Sequence, residues 1–396
     1  MVPKGWKKNS LDSLFEFKNG LNTEKEQYGN GYKFVNVMDV FRNDILTESK
    51  IIGRVQVTDK QLEGYQLKYG DVLFNRTSET FDEIAIAAIY LDNAIATFGG
   101  FVIRARPKGN QIDPAYSVFL FQSKSYRSQV VKLGQGAIRA NIGQKDLARV
   151  CILVPPLAEQ KKIAQILSTW DKAISVTEKL LANSQQQKKA LMQQLLTGKK
   201  RLLDENGVRF SGEWKQDVNL GSIINISKGV QINKNTLSED GQFPVINGGI
   251  APSGFTSEFN TDENTITISE GGNSCGYVAF QKKSFWCGGH SYAVRKTALD
   301  LSFTFHLLKY NELKIMGLRV GSGLPNIQKK AIEAFTVNFP VTSVEQQKIA
   351  AVLSAADDEI ATLEKKLACL RDEKKALMQQ LLTGKRRVKV DEAVAE

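Results

Sequence analysis

A long internal repeat constrains the fold of this chain more than any other feature of the sequence. The twelve residues KKALMQQLLTGK occupy positions 188–199 and recur unchanged at 374–385, an offset of 186. At the same offset, EQKKIAQILSTWDKAI at 159–174 matches EQQKIAAVLSAADDEI at 345–360. No insertion therefore separates the two blocks. Two copies at so long a period indicate the duplication of a domain with its helix, rather than a solenoid.

The repeated blocks predict two long amphipathic helices. A mainly apolar stripe follows alternating spacings of four and three over 163–195 and 349–381, with Thr177, Ser184 and Lys188 on it in the first helix, a pattern typical of coiled coils. Prolines precede both stripes, and Gly198 and Gly384 follow them, as expected at helix entrances and C-caps. At about 1.5 Å per residue, about 40 residues span about 60 Å. Such helices can hold two heads far enough apart to contact separate segments of one DNA duplex.

Residues 1–150 and 205–340 predict two heads of mixed α/β structure. Weaker echoes link them, for example Trp6 with Trp214 and Gly99-Gly100 with Gly288-Gly289. Short runs rich in β-branched and aromatic residues predict strands at 34–40, 71–74, 84–91, 101–106, 265–269, 277–280 and 291–295. Short helices are expected at 115–125 and 303–311. Diverged heads on a preserved scaffold indicate that the heads recognise different things while the scaffold does a shared job.

The charge of the chain points to a polyanionic partner. Its 53 basic and 42 acidic residues give a net charge of +11, and phosphate neutralisation dominates nucleic-acid affinity. Residues 1–150 carry +5 and residues 159–201 carry +6, whereas 202–344 are balanced. The longest apolar run, at 84–91, is far shorter than a membrane helix. Four dispersed cysteines favour reduced thiols and a cytoplasmic location, with no membrane partner.

The pattern resembles the specificity subunits of type I restriction-modification enzymes over nearly the whole chain. The motif P-x-x-E-Q-x-x-I-A at 156–164 carries this resemblance, together with the L-L-T-G end of each helix and the duplication itself. The second copy departs slightly, with Pro340 four residues before Val344. The resemblance implies an α+β fold: two mixed α/β target-recognition domains related by pseudo-twofold symmetry and separated by two long antiparallel coiled-coil helices. The predicted divisions are a first recognition domain (1–155), a first helical spacer (156–204), a second recognition domain (205–341), a second helical spacer (342–390) and a tail (391–396).

The same resemblance implies a function and partners. Each head would read one half of a split double-stranded DNA sequence, and the helices would set the gap and dock two modification subunits. Those partners would supply methylation of adenine with S-adenosylmethionine, and restriction subunits would add ATP- and Mg-dependent translocation and cleavage. The chain itself is expected to bind none of these cofactors and to hold no catalytic residue.

Base reading requires side chains that offer paired hydrogen bonds from loops, above all Arg to guanine and Asn or Gln to adenine. Such side chains define the candidate DNA-binding residues: Arg76, Ser78, Arg139, Asn141 and Gln144 in the first head, and Asn247, Asn273, Ser322 and Asn326 in the second. Lys132, Lys145, Lys329 and Lys330 are candidate phosphate contacts. The alternative is that these polar, glycine-rich runs are turns and that Asn141 and Asn326 brace the element that follows.

Two other classes of function stay open at this stage. An enzyme is disfavoured because the sequence lacks both a phosphate-binding GK[ST] loop and the [ND]-P-P-aromatic motif of adenine methyltransferases. A coiled-coil protein without sequence reading would bind all DNA equally at fixed salt. No metal is expected either, because Cys275, Cys287 and His290 lack a fourth ligand and the usual zinc spacing.

Overall fold

The structure is a computed structural model that describes residues 2–136, 139–321 and 323–390. Within these residues the chain forms two compact units. The first unit contains the residues up to Val176 together with those from Leu367 onward, and the second is Thr177–Lys366. No helix in the described part of the chain is long and apolar enough to cross a membrane.

The first unit contains the first head. Its strands are β1 (Lys7–Ser10), β2 (Phe15–Asn19), β3 (Tyr28–Val35), β4 (Ile45–Leu46), β5 (Arg54–Val55), β6 (Val72–Asn75), β7 (Thr77–Ser78), β8 (Ala87–Tyr90), β9 (Ala96–Phe98), β10 (Val102–Pro107), β11 (Ala140–Asn141) and β12 (Cys151–Val154). Its helices are α1 (Leu11–Leu14), α2 (Val37–Arg42), α3 (Asp59–Tyr65), α4 (Pro114–Leu120), α5 (Lys124–Leu133), α6 (Gln144–Ala148) and the first part of α7 (Leu157–Leu195).

The second unit contains the second head. Its strands are β13 (Trp214–Asn219), β14 (Ile224–Lys228), β15 (Phe243–Ile246), β16 (Phe255–Thr256), β17 (Thr265–Ser269), β18 (Val278–Gln281), β19 (Trp286–Cys287), β20 (Ser291–Thr297) and β21 (Thr336–Pro340). Its helices are α8 (Leu301–Tyr310), α9 (Glu312–Met316), α10 (Lys329–Ala334) and the first part of α11 (Ser343–Leu381). The last part of α7 belongs to this unit, and the last part of α11 belongs to the first.

The two heads share one sheet arrangement. The main sheet has the order β2-β10-β6-β8-β4 in the first head and β14-β20-β17-β18 in the second. A smaller sheet joins β3, β5 and β9, and its counterpart joins β15, β16 and β19. In each head the first strand pairs antiparallel with the strand before the long helix, β1 with β12 and β13 with β21. The duplication therefore extends through the diverged heads, and the predicted α+β fold class is confirmed.

Local predictions in the heads were less accurate. The strand expected at 34–40 is wrong beyond Val35, because α2 begins at Val37 and the Asp39 carboxylate accepts a hydrogen bond from Asn36 N at 2.8 Å. The run 84–91 is a strand only over Ala87–Tyr90, since Ala85 has a φ of 52°. The helix expected at 115–125 is two helices, α4 and α5, and Ser123 caps the second one.

The two long helices lie antiparallel within each unit. In the first unit Lys374 Nζ forms an ion pair with Asp171. At the same offset of 186, Lys188 Nζ pairs with Asp357 in the second unit, and Ser184 Oγ donates to Glu359 Oε1 at 3.0 Å. Residues farther along α7 therefore meet residues earlier on α11, as antiparallel helices require.

A clamp fastens each head to both long helices. In the first unit Arg387, just after α11, donates two hydrogen bonds to the buried Glu159 in the first turn of α7, at 2.6 and 2.8 Å. The Trp6 indole N–H also donates to this carboxylate, at 2.9 Å. Gly384 follows α11 in the left-handed region (φ 69°), where only glycine avoids strain, and an added Cβ would clash with Pro3 beside Trp6.

The second unit repeats this clamp with the roles of the helices exchanged. Arg201, after α7, donates to Glu345 at 2.5 and 2.7 Å, and Glu345 lies in the first turn of α11. Gly198, with a φ of 72°, packs beside Trp214. Here the Trp214 indole N–H has no hydrogen-bond partner among the described residues. Each head is thus held by the start of one long helix and the end of the other.

The apolar core of each unit continues from the head into the helices. The first core includes Ile163 and Leu381, and the second includes Leu195 and Ile349, all of them buried. Full burial of one such side chain stabilises the fold by about 1.5–3 kcal/mol. The ends of the helical stripes are therefore part of the head cores.

One buried polar side chain distinguishes the second core. His306, six residues after the helix cap Asp300, lies within 3.0 Å of Ser354 Oγ through Nε2, while its Nδ1 has no hydrogen-bond partner among the described residues. Six residues after the corresponding cap, Asp113, the first head has Phe119, with Lys374 above its ring. Burial lowers the pKa of His306 to about 4.

The variant His306→Phe should make the stability of the second unit less sensitive to acid. The folded-state pKa lies below the value of about 6.5 in an unfolded chain, so the unfolded state binds more protons as the pH falls from about 6.5 towards 4. The wild type should lose about 2 kcal/mol between pH 7 and pH 5 through this residue. Urea unfolding at the two pH values measures the loss, and an equal loss in His306→Phe would show that other groups cause it.

Candidate nucleic-acid interface

Three segments of the first head meet at the end of strand β6. The chain leaves β6 at Arg76 and enters the short strand β7, which pairs antiparallel with β11. Ile142 N donates to the carbonyl oxygen of Arg76 at 3.0 Å, and Arg76 N donates to that of Phe101 at 2.9 Å. We call this surface the first loop platform: residues 76–78, the turn at 99–102, and the described residues of 135–142.

The third segment of the first loop platform is a closed loop. Gln135 and Asn141 exchange two backbone hydrogen bonds of 2.8 and 2.7 Å. The Asn141 side chain donates to the carbonyl oxygen of Arg139 at 3.0 Å, which fixes the backbone on one side of the loop tip. The Arg139 side chain is exposed. An exposed guanidinium beside this hydrogen-bonded backbone suits the reading of base edges.

The second head builds the same platform from different side chains. Glu270 follows strand β17, its N–H donates to the carbonyl oxygen of His290 at 2.9 Å, and its own carbonyl accepts from Ile327 N at 2.8 Å. Val320 and Asn326 exchange two bonds of 2.8 and 3.0 Å. The second loop platform therefore consists of residues 270–271, 288–291 and the described residues of 320–327. Its backbone bonds match those of the first platform one for one.

Four of the predicted residues of the first head belong to this platform, and three lie on the helices before and after its third segment in the chain. Arg76, Arg139 and Asn141 are exposed on it. Gln144 and Lys145 lie on α6, which follows the platform, and Lys132 is exposed on α5, which precedes its closed loop. Ser78 is buried instead, and its hydroxyl donates to Glu83 Oε2 at 3.1 Å within its own loop.

The predicted residues of the second head are more dispersed. Asn273 is exposed just beyond residues 270–271, and Asn326 is exposed on the platform. Asn247 is half-buried, and its Oδ1 accepts from His290 N at 2.9 Å, so it braces the turn. Lys329 is exposed on α10 and lies 3.5 Å from Glu333, with exposed Lys330 beside it. Ser322 lies outside the described residues.

An acidic residue organises the second platform. Glu270 Oε1 lies 2.5 Å from Lys228 Nζ, and Oε2 lies 3.6 Å from His290 Nδ1. The Tyr292 hydroxyl lies 3.4 Å from the same carboxylate and donates to the carbonyl of Ile327 at 3.1 Å. Burial, followed by the charge of Glu270, raises the pKa of Tyr292 to about 12. Lys228 and His290 keep about half or more of their side-chain surface exposed.

Sequence reasoning missed four platform residues: Phe101, Glu270, His290 and Leu324. Phe101 and Leu324 are apolar, and a search for paired hydrogen-bond donors passes over apolar side chains. A signal for two of them was present, because Phe101 and His290 each follow directly after the matched Gly-Gly pairs. A large or ionisable side chain after a duplicated Gly-Gly turn marks an exposed position held by a tight backbone.

The two cysteines near the second platform each form a hydrogen bond from the thiol to a backbone carbonyl. Cys275 Sγ contacts the carbonyl of Glu270 at 2.9 Å, and Cys287 Sγ contacts that of Ser291 at 3.6 Å. Burial raises the pKa of both thiols, that of Cys287 to about 11, whereas a metal ligand must be a thiolate. The described residues contain no group of three or more His, Cys, Asp or Glu side chains that could hold a metal ion.

Comparison with known proteins identifies the family. The chain matches the family described as "Type I restriction modification DNA specificity domain" over residues 3–183 and 212–370. The chain belongs to this family. The two matched segments correspond to the two copies of the repeat, so the resemblance drawn from the repeated motifs is confirmed: this is a type I specificity subunit with two target-recognition domains.

Individual relatives agree with this assignment. A putative type I restriction enzyme specificity subunit, MjaX of Methanocaldococcus jannaschii, is 27% identical over 98% of this chain and 95% of its own length. A putative type I specificity subunit of Mycoplasma pneumoniae is 37% identical over 39% of this chain and 42% of its own length. These relatives are named as specificity subunits, which confirms a non-catalytic role for this chain.

Solved structures share the fold. The S subunit of a type I restriction-modification system from M. genitalium superposes with a TM-score of 0.66 at 20% identity, covering 96% of both chains. A chain from a study of the assembly and conformational transition of a type I system has a TM-score of 0.55 at 19% identity and covers 98% of this specificity subunit and 100% of its own length.

Proposed function

We propose that this specificity subunit binds a bipartite double-stranded DNA sequence and thereby directs adenine methylation and ATP-dependent cleavage by partner subunits. The observation that carries the proposal is the pair of loop platforms, which have the same backbone bonds and different exposed side chains. Two like surfaces with unlike chemistry suit two different half-sites of one DNA sequence. A cytoplasmic location follows from DNA as the target.

Phosphate contacts and base contacts divide between different residues in this proposal. Lys132 and Lys145, exposed on the helices before and after the closed loop in the chain, neutralise phosphates, while Arg76, Arg139 and Asn141 read base edges. In the second head Lys329 and Lys330 supply phosphate contacts at the start of α10, and Asn273 and Asn326 read bases. Ser78 and Asn247 support these loops through their internal bonds.

The long helices carry the docking of two modification subunits. The segments 188–199 and 374–385 are identical in sequence, including residues that do not face a core. Most of the exposed positions are the same in the two segments, among them Lys189 and Gln193 in the first copy and Lys375 and Gln379 in the second. Two equal exposed surfaces fit two copies of one partner. S-adenosylmethionine, ATP and Mg²⁺ would be bound by the modification and restriction subunits and not by this chain.

Methylome sequencing tests the proposed function. The modification subunit should be expressed in a host without adenine methylation, alone and together with this chain. We expect one split, adenine-methylated motif only when this chain is present. The same motif without this chain would contradict the proposal. Methyl transfer from labelled S-adenosylmethionine to DNA by the isolated chain would show instead that the chain itself is the methyltransferase.

A further inference from the structure

Three side-chain positions correspond between the two loop platforms. Arg76 and Glu270 correspond because each donates its N–H across to the Gly-Gly turn and accepts from an isoleucine N–H. Phe101 and His290 correspond because their carbonyl oxygens accept those bonds. In the closed loops, the third pair lies two residues before the asparagine that closes each loop: Arg139 in the first head and Leu324 in the second.

The chemistry at these positions is changed while the backbone is preserved. From the first head to the second, the cation at the first position is replaced by an anion, and the phenyl ring at the second by an imidazole. The cation at the third position is replaced by an aliphatic side chain. Phe101 is 63% exposed and Leu324 is 85% exposed. Neither side chain contributes to a core, so packing within the chain does not explain why these positions carry large apolar residues. Their shared location on matched platforms points to contact with something outside the chain.

The first platform offers hydrogen-bond donors beside an apolar ring. The side chains of Arg76 and Arg139 make no hydrogen bond or ion pair with the residues that the structure describes, so both guanidinium groups are available to O6 and N7 of guanine. Phe101, bonded through its backbone to Arg76, places an apolar surface beside them. Apolar side chains in the major groove contact the thymine methyl group.

The second platform offers a different set. Glu270 is largely buried and already faces Lys228, His290 and Tyr292, so it acts on DNA through the groups that it holds. Lys228 Nζ and the His290 ring project from that carboxylate with much of their surface exposed. Leu324 supplies the apolar contact. Glu270 is thus a positioning residue for two donors.

We propose that these three positions determine the base preference of each half-site: Arg76, Phe101 and Arg139 in the first head, and His290 and Leu324, with Lys228 held by Glu270, in the second. This inference rests on the proposed function, because it assigns the reading of the split DNA site to individual side chains. It adds the apolar side chains of Phe101 and Leu324 to the hydrogen-bond donors that the sequence predicted. It also adds Lys228, which Glu270 holds in place.

Exchange of residues between the two heads tests the assignment. Phe101→His and Leu324→Arg each install the side chain that the other platform carries at the same position. Both sites are exposed, so folding should be preserved. Each variant is assembled with its modification subunits, and its preferred site is selected from DNA with randomised half-sites. We expect Phe101→His to change the base preference in one half-site and Leu324→Arg to change it in the other, each by roughly tenfold at one base pair or more.

Two further variants give the controls. Lys132→Ala should lower the affinity for specific and random DNA by the same factor, because a phosphate contact carries no sequence information. Glu270→Gln should weaken base discrimination in the half-site that Leu324→Arg changes, since it removes the charge that holds Lys228 and His290.

The inference is overturned if Phe101→His and Leu324→Arg leave both half-site preferences unchanged, whether or not overall affinity falls. It is equally overturned if one variant changes both half-sites together. Failure of the proposed function itself looks different, because the wild-type complex would then select no sequence at all.

Discussion

Arg201→Ala is expected to destabilise the second unit by about 3–5 kcal/mol, because it leaves a buried carboxylate without its counter-ion. The side chain of Glu345 is 1% exposed, and that of Arg201 is 19% exposed. Arg201 also donates to the carbonyl of Gly212 at 2.9 Å, so its loss releases the chain that leads into β13. Hydrogen exchange in β13 and β21 measures the effect, and it should increase in both strands.

The first unit provides a matched control in Arg387→Ala. Its effect should be smaller for two reasons: Arg387 is 43% exposed, so water already screens the ion pair, and Glu159 keeps the hydrogen bond from the Trp6 indole. The Trp214 indole offers no such bond to Glu345. If Arg201→Ala left exchange in β13 and β21 unchanged, or if Arg387→Ala had the larger effect on its own unit, the argument from burial would be wrong.

The clamps show which parts of the fold the sequence could reveal. The long helices could be predicted from the sequence because their signal is local: a regular apolar stripe followed by glycine after the last turn. The ion pair between Glu159 and Arg387 could not be predicted, because the two residues are separated by 228 positions. Neither residue lies in a sequence motif that would indicate its partner. The match between Trp6 and Trp214 in the sequence indicated that the two positions are equivalent, but it did not identify the carboxylate or the arginine of either clamp.

The candidate interface was predicted in part for a related reason. Arg139 and Asn141 were selected from residue chemistry alone, and the structure places them on one closed loop. Ser78 has equally suitable chemistry but is buried against Glu83, and only the folded loop reveals this. The opposite holds for Glu270, whose charge in isolation gives no indication that it holds Lys228 and His290. Residue type predicts what a side chain can do, and the hydrogen bonds around it decide what it is free to do.

The pairing of the long helices leads to the other large expected effect, a change in the gap between the half-sites. Ion pairs fix the register at two points along each helix: Asp171 and Lys188 on α7 face Lys374 and Asp357 on α11. Seven residues inserted after Leu181 and seven after Leu363 would lie between these points on both helices. One heptad preserves the apolar stripe and leaves each unit with its own ion pair and clamp.

Seven helical residues add about 10 Å to each helix, which corresponds to about three base pairs at about 3.4 Å each. With both half-site sequences unchanged, we therefore expect selection from DNA with variable spacing to recover a gap longer by about three base pairs, and affinity for the original spacing to fall at least roughly tenfold. Insertion in α7 alone is the control, because it moves Lys188 one heptad away from Asp357 and should destabilise the second unit without defining a new gap. An unchanged gap after the paired insertion would mean that the helices dock partners but do not set the spacing.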